Sequence, residues 1–149
     1  MATVTITLLV DTDNIGTTNE PTYKYCSLSQ TGGVEGDVLV NDPADPDNPE
    51  KDTSRVSDAD VITWQGAPKN KNSATQVNIT SIVRTSGSSV LGMPVPGSPG
   101  PHGQTVTATV VNAGAGNNET YTINFNTNGT SYDLDPKIMV HSHETNKDQ

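Results

Sequence analysis

The stretch Thr120–Val140, TYTINFNTNGTSYDLDPKIMV, decides the fold. Its first half alternates: Tyr121, Ile123 and Phe125 fall on one face, with Thr120, Thr122 and Asn124 on the other. Its second half carries Tyr132, Leu134, Ile138 and Val140. Asn128-Gly129 lies between the halves. A period of two on both sides of a short Asn-Gly loop predicts a β-hairpin with one buried face. A lone hairpin is marginal in water, so the rest of the chain must cover it.

Outward from the hairpin the same pattern recurs. Val4, Ile6, Leu8 and Val10 alternate with Thr3, Thr5 and Thr7 in a first strand, and Asp11–Asn14 ends it as a turn. Pro21–Leu28 reads as a short strand. Val56–Trp64 carries Val56, Val61, Ile62 and the only Trp, and within it Ala59–Trp64 reads as a strand entering the core. Gln76–Arg84 sets Val77, Ile79 and Val83 against Asn78, Thr80 and Ile82. Gln104–Val111 sets Val106, Ala108 and Val110 against three threonines. No window shows apolar residues at helical spacing with a cap. The expectation is an all-β chain: a single antiparallel β-sandwich over residues 1–140, immunoglobulin-like or jelly-roll-like, of about seven strands, with 141–149 as a polar tail.

Composition narrows the function. The chain has 149 residues, enough for one domain, with 31% hydrophobic and 4% aromatic residues. So thin an apolar supply requires those residues to gather on strand faces. Seventeen acidic against eight basic residues give a net charge of −9. That charge repels phosphate backbones and anionic lipid surfaces, which argues against nucleic acid and membrane partners. No apolar run approaches a membrane span. The start, MATVTIT, enters a strand directly without a charged and then apolar leader, so the expected location is cytoplasmic, with export by a non-classical route left open. Asn78, Asn118 and Asn128 each begin an Asn-X-Thr triplet, which carries no weight without a secretory context.

Two clusters offer metal ligands. The loop Asn41–Asp52, NDPADPDNPEKD, holds Asp42, Asp45, Asp47, Asn48, Glu50 and Asp52, enough oxygens for calcium. Its prolines stand where an EF-hand needs glycine, and a solvated acidic loop is the commoner fate of such a stretch. Asp11, Asp13 and Asn14 form a smaller acidic group that reads as a turn. His141 and His143 would share a strand face, a pair suited to zinc, copper or nickel if His102 or Glu144 completed the set. A frayed tail is the simpler reading. Catalytic patterns are missing: the lone Cys26 has no base beside it in sequence and reads as a small buried hydrophobe, so no enzyme activity is expected. The segment Ser86–Gly103, rich in Gly and Pro, reads as a long irregular loop.

Three pieces in order resemble the PixA/AidA inclusion-body proteins of bacteria. They are LLVDTDNI (Leu8–Ile15), DVITW (Asp60–Trp64) followed by a polar turn and VNITSIV (Val77–Val83), and a Tyr-rich hairpin ending in DPKIMV (Asp135–Val140). The chain departs from that pattern in its shorter length, in Leu134 where an aromatic is usual before Asp-Pro, and in an acidic proline loop without counterpart. The resemblance implies a compact β-sandwich that packs into inclusions and has no catalytic residues to transfer. The expected function is therefore self-association into homo-oligomers, or binding of a carbohydrate or protein ligand. The alternative is a calcium-dependent, lectin-like module using the acidic loop.

Overall fold

The computed structural model describes residues 2–111, 114 and 116–141. It contains eleven strands: β1 (Thr3–Val10), β2 (Cys26–Gly32), β3 (Leu39–Val40), β4 (Thr53–Val56), β5 (Val61–Pro68), β6 (Asn78–Gly87), β7 (Val95–Pro96), β8 (Val106–Thr109), β9 (Asn118–Thr127), β10 (Thr130–Leu134) and β11 (Lys137–Val140). The only helical turns among the described residues are two short 3-10 turns, Thr22–Tyr25 and Pro49–Lys51. No helix among them is long and apolar enough to cross a membrane.

The hairpin forms as its sequence requires. Thr127 pairs with Thr130 across Asn128 (φ 55°) and Gly129 (φ 77°), two positive φ values that suit Asn-Gly and the twist of the flanking strands. The returning strand then breaks at Asp135-Pro136. β10 pairs with Ile123–Thr127 of β9, and β11 pairs with Asn118–Thr120. Pro136 has no N–H for a ladder, and its carbonyl instead accepts from Tyr121 N at 3.1 Å. β6 takes the other edge of β9.

The strands form two sheets. One runs β2-β1-β5-β8-β7. The other joins β6, β9, the broken β10/β11 strand, β4 and β3. β1 runs parallel to β5, and β4 runs parallel to β11. The inner residues of both sheets join one apolar cluster, with Val4, Ile6, Leu8, Ile62 and Trp64 from the first and Ile79, Tyr121, Ile123, Phe125 and Ile138 from the second. Trp64 Nε1 donates to Tyr121 Oη at 3.1 Å, and the rings meet edge to face at 5.7 Å. The buried indole and phenol thus satisfy each other, which lets a chain with few aromatics bury its largest ones.

Three expectations change. The strands number eleven, not about seven, because two-residue strands such as β3 and β7 are too short to show a period. The sheets are mixed, not antiparallel, because pairing across the two crossings β1–β5 and β4–β11 leaves no local trace. The strand expected over Ala59–Trp64 is present as β5, from Val61, whereas Pro21–Leu28 is not one strand: Thr22–Tyr25 forms a 3-10 turn and β2 begins at Cys26. A fourth change is one of phase. Thr80 is an extra residue in β6, since Ile79 faces Phe125 and Ser81 faces Asn124. That bulge turns Ile82 inward, 5% exposed, and Val83 outward, 49% exposed, the reverse of unbroken alternation.

Candidate functional site

The acidic loop spends its oxygens on its own backbone and neighbours. Asp42 Oδ1 accepts from Ala44 N at 2.9 Å and Asp45 Oδ2 from Asn48 Nδ2 at 3.2 Å. Asn48 Oδ1 caps Glu50 N at 3.0 Å, while Glu50 Oε2 accepts from Asp135 N at 2.9 Å. Asp52 is buried, accepts from Asn41 Nδ2 at 2.8 Å, and has its pKa raised by that burial. Asp47 faces solvent. The loop is thus partly folded into the body, and among the described residues no group of three or more His, Cys, Asp or Glu is placed to hold a metal ion. In the smaller group, Asp11 Oδ2 accepts from Asn14 Nδ2 at 2.8 Å, within the turn after β1. Cys26 is buried, and burial first, then Glu50 nearby, pushes its thiol up to about 12, far from a nucleophile's range.

His141 belongs to the folded body; His143 and Glu144 lie outside the described residues. Its Nε2 lies 2.6 Å from Asp37 Oδ1 and 3.0 Å from Ser57 Oγ. Ser57 Oγ also donates to Asp37 Oδ1 at 2.7 Å. Ser57 N donates to Asp60 Oδ2 at 2.8 Å, and the Asp37 and Asp60 carboxyls share a hydrogen bond. Asp37 comes from the β2–β3 loop, Ser57 and Asp60 from the β4–β5 crossing, and His141 from the end of β11. Burial, then the hydrogen bond to Asp37, raises Asp60 to about 7. Burial opposes the charge of Asp37 too, but bonds from Asp60, Ser57, His141 and Val34 N outweigh it and hold Asp37 below its ordinary value. Gly36 fits against the imidazole: a Cβ there would lie 2.7 Å from His141 Cε1. Ser57 Oγ and Asp37 Oδ1 thus both meet the same ring nitrogen, His141 Nε2.

A second polar group lies on the opposite side, where β6 and the segment before β7 leave the sheets apart. Glu119 opens β9 and is 2% exposed. Its Oε1 accepts from Val90 N at 2.8 Å and Leu91 N at 3.2 Å, which fixes the start of the Gly/Pro-rich segment. Burial raises its pKa, against those two bonds and the charge of Arg84. Glu119 lines a cavity of about 240 Å³ with Arg84, Ser89, Ile82, Leu91 and Met93. A smaller cavity of about 110 Å³ continues along Thr80–Ile82 and Pro94–Pro96.

Sequence reasoning missed Asp37, Ser57, Asp60 and Glu119 as site residues. Glu119 was within reach: it shares the parity of Tyr121, Ile123 and Phe125, so the alternation itself puts it on the buried face. Asp37, Ser57 and His141 come from three distant segments, and nothing local joins them.

No protein-family model matches the chain, and no curated protein matches it in sequence. Among solved structures, an endo-fucoidan hydrolase of glycoside hydrolase family 107 aligns over 78% of this chain and 17% of its own, at 16% identity and a TM-score of 0.35, too low to carry an argument. The inclusion body protein PixA of Burkholderia cenocepacia J2315 aligns over 93% of this chain and 94% of its own, at 12% identity and a TM-score of 0.65. At that identity the likeness is one of fold, and it agrees with the architecture implied by the three sequence pieces: this chain shares the fold of a PixA inclusion body protein.

Proposed function

We propose that this protein acts without catalysis, by associating with copies of itself through the outer edge of β6. The observation that carries the reading is that ten-residue strand. β9 covers one edge; on the other, Ile79 N donates to Gln104 O at 2.9 Å, and beyond Ile79 no strand among the described residues pairs with it. Unpaired strand edges are templates for another chain. Val83, half exposed, stands on its outer face, and the facing segment shows Met93 at 86% and Val95 at 51% exposure. The opposite edge strand, β2, is by contrast tied to β4 by Gln30 Nε2 donating to Arg55 O at 3.0 Å. The bulges at Thr80 and Thr85 confine regular pairing to Ser81–Arg84, which favours short, repeated contacts over an open-ended sheet. The shared fold with a protein described as an inclusion body protein supports the same reading.

Sedimentation velocity across a wide concentration range tests it. The expected result is concentration-dependent oligomers, reduced in Val83→Lys, which places a charge on the edge. A strictly monomeric profile throughout, or assembly unchanged in Val83→Lys, overturns it. The calcium reading rests on the oxygens of residues 42–52 alone. A melting temperature equal in excess calcium and in EDTA removes it, because a ligand of the folded state must stabilise that state.

A further inference from the structure

We propose that the cavity between β6 and the segment Ser89–Pro94 binds a small apolar α-amino acid, its ammonium on Glu119 and its carboxylate on Arg84. The site is separate from the self-association reading and does not rest on it. Three observations lead here. First, a carboxylate with 2% exposure is costly unless its oxygens are satisfied. Glu119 Oε1 takes both backbone donors, from Val90 N and Leu91 N, no donor to Oε2 is found among the described residues, and the side chain lines the cavity. An ammonium is the ligand group that would complete it, by a charge-assisted bond.

Second, the opposite charge is on the same wall. Residues opposite each other across a ladder share a face. Arg84 faces Tyr121, and Gly87 faces Glu119, so Arg84 and Glu119 both stand on the inner face where the sheets part. The guanidinium gives one N–H to Gly87 O at 2.8 Å and keeps further donors for a carboxylate. Third, the remaining wall is apolar. Ile82, Leu91, Met93 and Pro94 line the same space, whose volume of about 240 Å³ falls below the ~300 Å³ where pockets for drug-sized ligands begin. A ligand with both charges, a short apolar body and no more matches that lining. A peptide terminus would bring only one of the two charges.

The test is calorimetry and amide chemical-shift titration of the full chain with L-leucine, L-leucinamide and N-acetyl-L-leucine. Leucinamide keeps only the ammonium and acetyl-leucine only the carboxylate. The expected result is saturable binding of leucine, weakened about tenfold or more in each blocked form, the scale of one lost charge-assisted contact. Glu119→Gln keeps an oxygen for Val90 N and Leu91 N but removes the charge, and Arg84→Met removes the carboxylate partner. Both should weaken leucine about tenfold or more while leaving the melting temperature of the free protein within a few degrees. No saturable binding of leucine up to about 10 mM, a range that covers even weak specific contacts, overturns the proposal. So does equal binding of either blocked form, which would indicate a peptide terminus, or undiminished binding in both variants.

Discussion

The two sides of this molecule where the sheets come to their edges both bury carboxylates, but in opposite manner. On the side of β2 and β3, Asp37 and Asp60 are held with Ser57 and His141 in one closed network, and Gln30 binds across to Arg55 O. On the side of β6 and β7, Glu119 uses one oxygen to fix Val90 and Leu91 and turns the other side of its carboxyl to a cavity. A buried acid whose bonds are all internal holds elements together; a buried acid that also lines a cavity beside an opposite charge is the one a ligand can reach. The closed side joins segments far apart in sequence, while the open side joins neighbours in one ladder.

The largest test of this contrast is Asp37→Ala. It removes the acceptor shared by His141 and Ser57 and leaves buried donors unpaired, at a cost of about 3 kcal/mol by chemical denaturation. Glu119→Ala leaves the Val90 and Leu91 N–H groups without acceptors and should cost about 2 kcal/mol, with loss of amide-exchange protection confined to residues near 88–94. If Glu119→Ala costs as much as Asp37→Ala, or unprotects the whole chain, the two sides do not differ as described.

The next effect is in pH. Asp60 stands at about 7 in the folded chain against 3.8 ordinarily, so it keeps a proton that the unfolded chain has lost. Its stabilising contribution is full below 3.8 and is lost as the pH rises through about 7. Asp37, lowered, acts in the other sense: its contribution is present above 3.8 and lost as the pH falls. Asp60→Asn keeps a donor toward Asp37 without titrating. The stability of the native chain minus that of Asp60→Asn should therefore fall from about pH 4 to about pH 7 and stay level above. A level difference throughout would mean that the Asp37–Asp60 bond is not formed. The smallest effect is Val83→Lys, within about 0.5 kcal/mol, because an exposed outer-face residue packs against little. A larger loss would show that this side is closed as well.

Much of the fold was legible. The Asn128-Gly129 turn, the alternation of β1, β8 and β9 and the absence of helical spacing are local properties, fixed by φ preferences and side-chain parity. The bulge at Thr80 was not, because a single added residue reverses the phase of Ile82 and Val83 without changing the composition. The candidate site was less legible still. Residues with rich ligand chemistry, Asp42–Asp52, are turned to their own backbone, while Asp37, Ser57 and Glu119 carry no motif.

By itself the sequence determined that the longer alternating segments become strands and, where no bulge intervenes, which face of each is apolar, since those depend on neighbours two residues apart. Only the tertiary structure decided the parallel pairings of β1 with β5 and β4 with β11, the joining of His141 to Asp37 and Ser57, and the placing of Arg84 and Glu119 beside one cavity. Each of these brings together residues more than thirty positions apart. Contacts of that range are set by how two sheets close on one shared core, which no local pattern encodes.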